Sequence, residues 1–450
     1  MKIHTINPAT EEKIKVYNLF TKLQLDSTIT KSRDGFKKWK SHSVKYRSST
    51  IKQIGKGLLK NKNKFAKLIT EEMGKPIKES IAEIEKCAWS CNYFSDNAEK
   101  FLQDEKIKTE HKHSYIRFEP LGKILCVMPW NFPFWQVFRC VIPALCAGNS
   151  VILKHSSITL GCSLEIERFL GGYLAKGVFQ NVITNGEGVN YLMDHVEGVS
   201  LTGSVQTGRT IAENAGKRLK KVVLELGGSD PFIVLKDADM NFTCKEAIKG
   251  RFVNSGQSCI ASKRFIIVKE IFDEFAKNII DLVKNLKIGN PMDLETDIGP
   301  LARREFVVGL DKQVKDSIKQ GAKLLYGGKV LQGKGYYYMP TILITNSNMR
   351  VVKEETFGPV FTLIKVNNEK EAIKEANKSE FGLGASIWTK DMKKGTEYAK
   401  EIESGFVAVN NVVRSDPRLP FGGVKNSGLG RELDRYGMLE FCNIKTVIAD

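Results

Sequence analysis

The sequence predicts an α/β fold, because short apolar segments alternate with stretches of helical periodicity over most of the chain. Such an alternation is typical of a mostly parallel sheet, whose ligand sites lie beyond the carboxyl ends of the strands. In the first part we expect strands at residues 124–128, 151–153, 181–184, 199–202, 222–226 and 232–235. A second α/β stretch, from about residue 227 to 437, contains expected strands at residues 264–268, 360–366, 386–388 and 406–410.

The chain is long enough for two large domains with an extension. It has 450 residues, and the two α/β stretches predict two α/β domains with a cleft between them. Residues 110–118 alternate weakly, as an exposed strand or arm would, and residues 440–448 are also β-like. We expect these two segments to pair, either within one subunit or between two.

Helices are expected before the first strand. A helical pattern runs from Tyr46 to Met73 and is stopped by Gly74 and Pro76. A second helix follows, in which apolar residues recur every three or four positions from residue 77 to 91.

Composition excludes several classes of protein. Hydrophobic residues make up 42% and charged residues 27% of the chain, as in ordinary globular proteins. The net charge of +18 comes from basic residues spread along the chain, so nucleic-acid binding is only a minor alternative. No apolar run approaches roughly eighteen residues and the amino terminus lacks an apolar signal core, so we expect a cytoplasmic protein with no membrane partner.

Cysteine and histidine spacing predicts neither a disulfide framework nor a metal site. The nine cysteines form no CxxC pair, and the six histidines are scattered. Structural zinc sites draw their ligands from closely spaced pairs. We therefore expect no bound metal.

The segment Asn254–Cys259 (NSGQSC) contains the leading candidate for a reactive group. A helical pattern precedes it and the apolar run 265–268 follows it, which places Cys259 near a loop between packed elements. A thiol held there among small residues can be reached by a substrate and can act as a nucleophile. The alternative is a buried structural cysteine, the usual fate of a free thiol.

Two further motifs at strand ends carry candidate catalytic groups. Residues 129–133 (PWNFP) follow a strand directly, and their two prolines can hold the Asn131 carboxamide in one direction, as an oxyanion donor must be held. The alternative is a rigid aromatic turn. Glu225 ends another strand in front of a glycine pair and is either a general base or a solvated carboxylate.

A phosphate site is predicted at residues 203–208 (GSVQTG). This turn follows the strand 199–202 and opens a helix, so its free amides and the Ser204 hydroxyl favour a bound phosphate. A simple N-capped turn has the same pattern. Residues 186–191 nearly fit GxGxxG, but a tyrosine replaces the third glycine, and we discount them.

Together these motifs resemble the aldehyde dehydrogenase superfamily over nearly the whole chain. The late stretch 415–432 is similar to the bacterial succinate-semialdehyde dehydrogenase branch of that family. The matching motifs lie at residues 71–76, 129–133, 154, 203–208, 225–228, 256–259, 354–359 and 420–428.

The resemblance implies an organisation of the chain. It implies a Rossmann-like cofactor-binding domain from residues 1–107 and 121–226 and an α/β catalytic domain from residues 227–436. A small β oligomerisation arm is implied from residues 108–120 and 437–450, in a homodimer or homotetramer.

The resemblance also implies a mechanism. The Cys259 thiolate attacks an aldehyde, and the Asn131 carboxamide and the Cys259 backbone amide hold the oxyanion. Hydride passes to a nicotinamide, and Glu225 activates the water that cleaves the thioester. The residues implied to bind the cofactor are Trp130, Lys154, Ser157, Gly203, Ser204, Leu226, Glu355 and Phe357.

One departure from the family pattern concerns the cofactor. NAD-preferring members carry a glutamate on the adenosine ribose where this chain has Ser157. The change removes a repulsion against a 2′-phosphate, while Lys154 supplies positive charge. We expect NADP or NAD as cofactor, with NADP accepted.

A second departure concerns the substrate. Arg139 matches an arginine that grips the substrate carboxylate in succinate-semialdehyde dehydrogenases, whereas the second arginine of some of them is Val253 here. Arg251 lies about 200° away around a helix and should not substitute. The remaining candidates on the late loop are Arg414, Ser415 and Arg418. The alternative function is a broad-specificity aliphatic aldehyde dehydrogenase.

Overall fold

Two sheets of mostly parallel strands form the framework of the protein, in a computed structural model that describes residues 2–450. The amino-terminal elements are β1 (Lys2–Ile6), β2 (Lys13–Asn18), α1 (Lys22–Lys40), α2 (Val44–Lys60), α3 (Lys62–Met73), α4 (Ile77–Phe101), β3 (Glu105–Lys106) and β4 (His113–Pro120). The elements of the first large sheet follow as β5 (Lys123–Met128), α5 (Trp135–Ala147), β6 (Ser150–His155), α6 (Leu160–Leu170), β7 (Phe179–Val182), α7 (Gly186–Met193), β8 (Gly198–Thr202), α8 (Val205–Gly216) and β9 (Lys221–Glu225).

The second half contributes the other large sheet and the carboxy-terminal strand. Its elements up to residue 366 are β10 (Asp230–Val234), α9 (Met240–Phe252), a 3-10 turn (Val253–Gly256), β11 (Ser262–Val268), α10 (Phe272–Lys284), α11 (Arg304–Lys319), β12 (Lys323–Tyr326), β13 (Thr341–Thr345), α12 (Arg350–Lys353) and β14 (Val360–Val366). The remaining elements are α13 (Glu369–Asn377), β15 (Phe381–Gly382), β16 (Gly384–Trp388), α14 (Met392–Glu401), β17 (Phe406–Val409), β18 (Val424–Lys425), β19 (Gly428–Leu429), α15 (Asp434–Leu439) and β20 (Cys442–Ala449).

The first large sheet has the strand order β19-β9-β8-β5-β6-β7, and β5 to β9 pair in parallel. Helices cover both faces, which explains why these strands are continuous apolar runs. Met128 pairs with His155 and Thr202 pairs with Glu225 at the carboxyl ends of the strands. The loops that follow these four residues therefore meet at one edge of the sheet, and the predicted α/β fold is confirmed.

The second large sheet has the order β12-β13-β14-β11-β10-β16-β17, antiparallel only between β12 and β13. Stacked aromatic rings fill its core: Phe232 lies 4.8 Å from Trp388 and 4.9 Å from Phe265 between ring centroids. The packed core holds β11 in place, and β11 is the strand that follows the loop of Cys259.

The two outlying β-like segments pair with each other within one chain. β4 and β20 are antiparallel, from Pro120 opposite Cys442 to His113 opposite Ala449. β3 also pairs with β4, and β19 pairs with β9 of the first sheet although it follows the second sheet in sequence. The two segments predicted to pair do so, and they pair within one chain. The division into domains at residues 107, 121, 227 and 437 stays a prediction.

The helix predicted over residues 46–73 is two helices. The Asn61 side-chain amide donates to the Gly57 carbonyl oxygen (2.9 Å) between them, so a polar side chain competes for a helical backbone group and ends α2. Gly74 ends α3 as predicted, in the left-handed conformation with φ 80°. Among residues 2–450, no helix is both long enough and apolar enough to cross a membrane.

Candidate active site

Cys259 lies where two cavities meet. It follows the 3-10 turn that ends α9 and precedes β11, and it is half-buried, whereas the other eight cysteines are buried. Cys259 lines a first cavity of about 390 Å³ and also a second cavity of about 530 Å³. The residue predicted to be reactive therefore lies in the wall of both cavities.

The turn before Cys259 has an unusual backbone. Asn254, Ser255 and Gly256 all have positive φ angles, of 52°, 55° and 80°. A β-carbon at Gly256 would collide with the carbonyl oxygen of Gly358. Strained backbone of this kind persists only where surrounding contacts hold it.

Hydrogen bonds to neighbouring elements hold this turn. The backbone N–H of Asn254 donates to Glu79 Oε2 on α4 (2.7 Å), and the backbone N–H of Ala302 donates to Gln257 Oε1 (2.9 Å). The Ser255 hydroxyl exchanges hydrogen bonds with the backbone of Gly299. Contacts with α4 and with residues 299–302 therefore hold the turn that precedes Cys259.

Asn131 lies beside Cys259 in the wall of the first cavity. Its Nδ2 donates to the carbonyl oxygen of Gln257 (3.2 Å), while Asn254 Nδ2 donates to the carbonyl oxygen of Asn131 (2.8 Å). These bonds clamp the loop 129–133 to the loop of the thiol. Asn131 Nδ2 retains a second hydrogen that can be donated to an oxyanion. The role of Asn131 as oxyanion donor stays a prediction.

A buried ion pair supports the loop 129–133 from behind. Glu83 Oε1 accepts hydrogen bonds from the backbone N–H groups of Phe134 and Trp135 (2.9 Å each) at the start of α5. Lys75 pairs with the same carboxylate, and its Nζ lies 3.7 Å from the ring centroid of Phe132. Lys75 belongs to the motif at residues 71–76, but the sequence alone did not reveal its partner Glu83.

Glu225 is buried at the end of β9 and does not line either cavity. Burial raises the pKa of its carboxyl group well above the ordinary value, and the charge of Arg139 acts in the opposite direction. Within residues 2–450, neither carboxylate oxygen accepts a hydrogen bond. The role of Glu225 as general base stays a prediction.

Arg139 is 1% exposed and lines the second cavity, but its guanidinium group already forms an ion pair with Glu432. The Arg139 Nε pairs with Glu432, an Nη donates to Thr202 Oγ1 (3.3 Å), and the guanidinium carbon lies 4.8 Å from the ring centroid of Phe421. Burial lowers the pKa of Arg139, but Glu432 and Glu225 outweigh this effect and keep the pKa above its ordinary value. A substrate carboxylate at Arg139 would compete with Glu432, so the predicted role of Arg139 stays a prediction.

Arg251 lines neither cavity. Its buried guanidinium donates to the backbone carbonyl oxygens of Thr356, Gly358 and Val360. Val253 lines the second cavity with an apolar side chain instead.

The first cavity contains most of the predicted cofactor residues. Ser204 caps α8, a helix of 12 residues, and such a helix start favours an anion. Segments next to strands of both large sheets contribute to the wall. The predicted residues that line this cavity are Trp130, Gly203, Ser204, Leu226, Glu355 and Phe357.

Lys154 and Ser157 lie outside the lining of the first cavity, at the carboxyl end of β6. Ser157 is exposed and Lys154 is partly buried, which lowers the pKa of Lys154. Within residues 2–450, no carboxylate forms a salt bridge with Lys154. An unpaired cation and an exposed hydroxyl are groups that fit a phosphate.

Lys263 is a site residue that sequence reasoning missed. Its Nζ donates to the carbonyl oxygens of Cys259 (2.7 Å) and Ser258 (3.0 Å), and it lies 3.4 Å from Glu355 Oε1. It therefore connects the thiol loop to the acid in the first cavity. A lysine inside the buried strand β11 was the available signal, because charged residues are rarely buried without a partner.

The second cavity contains Ser415, as predicted, and also Lys86, which was not predicted. Nothing in the sequence distinguishes Lys86 from the rest of the 69 lysines and arginines.

Among residues 2–450, no group of three or more His, Cys, Asp or Glu is arranged to hold a metal ion.

Comparisons with known proteins agree with this architecture. An aldehyde dehydrogenase family profile matches residues 1–447. The chain is 42% identical to a probable succinate-semialdehyde dehydrogenase [NADP(+)] of Synechocystis sp., with 99% of both chains covered. It is 40% identical to a succinate semialdehyde dehydrogenase [NAD(P)+] of Escherichia coli, with 99% of this chain and 97% of that one covered.

A solved structure extends the similarity to three dimensions. The succinic semialdehyde dehydrogenase from Streptococcus pyogenes in complex with NADP+ is 35% identical and superposes with a TM-score of 0.97 over 99% of each chain. With the family profile spanning nearly the whole sequence and the two cavities meeting at a cysteine, the chain belongs to the aldehyde dehydrogenase family and has the fold of that family.

Proposed function

We propose that this enzyme oxidises succinate semialdehyde to succinate, with NADP+ as hydride acceptor and NAD+ also accepted. The observation that carries the proposal is that Cys259 lines both cavities. A cofactor in the first cavity and an aldehyde in the second would reach the same sulfur atom from two sides. The relatives described above support the choice of substrate and cofactor.

The residues around the first cavity fit a nicotinamide dinucleotide. Ser204 and the start of α8 would hold the pyrophosphate, and the Glu355 carboxylate would accept hydrogen bonds from ribose hydroxyls. Trp130 and Phe357 offer aromatic walls, with ring centroids 5.7 Å apart. When bound, the nicotinamide supplies a hydride acceptor. We infer that Lys154 and Ser157 act on the 2′-phosphate, since no acid replaces the ribose-binding glutamate there.

Covalent chemistry at Cys259 follows from the neighbouring groups. The Cys259 thiol first loses its proton to water, and the thiolate then attacks the aldehyde carbon. The resulting oxyanion is stabilised by Asn131 Nδ2 and the Cys259 backbone N–H. Transfer of a hydride from the same carbon to a bound nicotinamide would leave a thioester. Glu225 then takes a proton from the water that cleaves the thioester, which releases the acid and regenerates the thiol.

Substrate and cofactor choice are tested together by NADPH absorbance. We expect absorbance to grow when the protein is mixed with NADP+ and succinate semialdehyde, and to vanish in Cys259→Ala. The kcat/KM with NAD+ should exceed that with NADP+ by less than about a hundredfold, which corresponds to about 2.7 kcal/mol. Absence of turnover in the wild-type protein would contradict the proposed function, and a larger NAD+ preference would contradict the role of Ser157.

A broad-specificity aliphatic aldehyde dehydrogenase is the second candidate. The apolar Val253 and the pairing of Arg139 with Glu432 favour it, because both reduce the attraction for a carboxylate. Butyraldehyde has the same number of carbon atoms as succinate semialdehyde and no carboxylate. Equal kcat/KM values for the two aldehydes would favour this alternative.

Assembly and location are also proposals. The β4–β20 arm exposes Ile444 and Ile448, which would be covered in a homodimer or homotetramer. Light scattering after size-exclusion chromatography measures the oligomeric state, and a monomeric mass would contradict the proposed assembly.

We also propose a cytoplasmic location. All nine cysteines are free, as is usual in the reducing cytoplasm. Detection of the protein outside that compartment would contradict this location.

A further inference from the structure

The charges around the second cavity are mostly neutralised by internal ion pairs. Eight charged side chains line this cavity. Five of them are paired: Lys78 and Asp297 with each other, and Glu83, Lys249 and Arg139 with carboxylates or a lysine outside the lining. Three remain, namely Glu79, Lys86 and Arg414.

Of the three remaining groups, Lys86 is the best placed cation. Glu79 already accepts the Asn254 backbone N–H (2.7 Å), and burial raises its pKa to about 7, which reduces its charge at neutral pH. Arg414 is exposed to solvent, where a charge is screened. Lys86 is partly buried on α4, and within residues 2–450 no carboxylate forms a salt bridge with it.

Lys86 is held in place by two neighbours. Its Nζ donates to Ser415 Oγ (2.8 Å) and lies 4.4 Å from the ring centroid of Trp135. The Trp135 indole Nε1 also donates to Ser415 Oγ (3.1 Å). The Ser415 oxygen thus accepts two hydrogen bonds, which leaves its own hydrogen free to be donated.

These contacts leave a set of donors that suits a carboxylate. An ammonium group has three N–H donors, and Lys86 uses one of them on Ser415. Two ammonium hydrogens and one hydroxyl hydrogen remain for the two oxygens of an incoming carboxylate. Burial, followed by the charge of Arg139, lowers the pKa of Lys86 to about 8. A bound anion would stabilise the charged ammonium group and so raise this pKa again.

We propose that Lys86, with the hydroxyl of Ser415, binds the distal carboxylate of the substrate and thereby selects ω-carboxylated aldehydes over uncharged ones. Arg139 lines the same cavity, but its guanidinium group is already paired with Glu432. This inference rests on the proposed oxidation of an aldehyde at Cys259.

Lys86→Met tests the proposal, since methionine retains an apolar stem without the charge. We expect kcat/KM for succinate semialdehyde to fall about 10- to 100-fold, mainly through KM, because a charged hydrogen bond is lost. The kcat/KM for butyraldehyde should change less than about threefold. Lys86→Arg should recover part of the loss. Lys100→Met, on the same helix but away from the cavity, is the matched control and should leave both substrates unaffected.

A binding measurement separates the carboxylate contact from turnover. Without cofactor, succinate should protect Cys259 from iodoacetamide, and Lys86→Met should require about tenfold more succinate for the same protection. An equal loss for both aldehydes, or no loss for either, would overturn the role of Lys86. A selective loss in Arg139→Ala, with none in Lys86→Met, would assign the carboxylate to Arg139 instead. If the wild-type protein oxidises neither aldehyde, the proposed function fails and not merely this inference.

Discussion

At Cys259, burial and nearby cations act in opposite directions on the thiol. Burial raises the pKa of Cys259 to about 12, although Arg139 and Lys263 both lower it. The thiol is therefore protonated at neutral pH in the cofactor-free protein. Glu225, the proposed base, is protonated more readily than an ordinary carboxyl group for the same reason, since burial also raises its pKa.

The pKa of Cys259 predicts a steep pH dependence of its reactivity. Only the thiolate reacts with iodoacetamide, so alkylation of Cys259 in the cofactor-free protein should accelerate about tenfold per pH unit from pH 7 to 10. Mass spectrometry of the peptide that contains Cys259 measures the rate, with circular dichroism to confirm that the protein stays folded. A small free thiol, which levels off near its pKa of about 8.5, is the control. A plateau for Cys259 below pH 9 would contradict the protonated thiol.

Individual residues differ in how far the sequence could predict them. Cys259 and Asn131 were predictable because each follows or precedes a recognisable strand, and the structure brings them to one cavity wall. The ion pair of Arg139 with Glu432 was not, because the partner lies far along the chain and only the fold brings it close. Lys86 could not be predicted from the sequence either, because its role depends on which nearby charged side chains are already paired.

At the scale of elements, the turn Val253–Gly256 determines where the thiol lies. Its positive φ angles reverse the chain between α9 and β11. Gly256, with φ 80°, packs directly against the backbone of Gly358, so no side chain fits.

Gly256→Ala should therefore displace Cys259, the proposed nucleophile. We expect kcat to fall about 10- to 100-fold, because small displacements of reacting groups are costly, and stability to fall by about 1–2 kcal/mol from the left-handed backbone alone. Gly216→Ala is the control, because nothing lies within 4 Å of its added β-carbon in α8, and it should keep full activity. Steady-state kinetics and thermal melting measure both effects. Wild-type kcat in Gly256→Ala would contradict the positional role of the turn.

Elements with strong apolar patterns were predictable, and weakly patterned ones were not. Most of the parallel strands were predicted from their continuous apolar runs, which reflect burial on both faces. The exception is β13, which pairs in parallel with β14 and was missed. The hairpin of β1 and β2 was missed because only one residue of β2, Tyr17, is buried, so its sequence shows no alternation. The break at Asn61 was missed because the apolar pattern continues on both sides of it.

At the scale of the whole molecule, the candidate active site is assembled from both large sheets. Asn131 and Ser204 follow strands of the first sheet, while Cys259 and Glu355 precede strands of the second, and all four line the first cavity. The close packing of the two loops around Asn131 and Cys259 depends on hydrogen bonds that only the assembled fold provides.

The central claim, covalent aldehyde oxidation at Cys259, is tested most directly by trapping the thioester. In Glu225→Gln the proposed base is missing, so hydrolysis should become slow while acylation continues. We expect intact-mass and peptide mass spectrometry, after brief mixing with succinate semialdehyde and NADP+, to detect an added mass of about 100 Da on Cys259. The adduct should be absent without NADP+. An adduct on another residue, or full wild-type turnover in Glu225→Gln with no adduct on Cys259, would contradict the account.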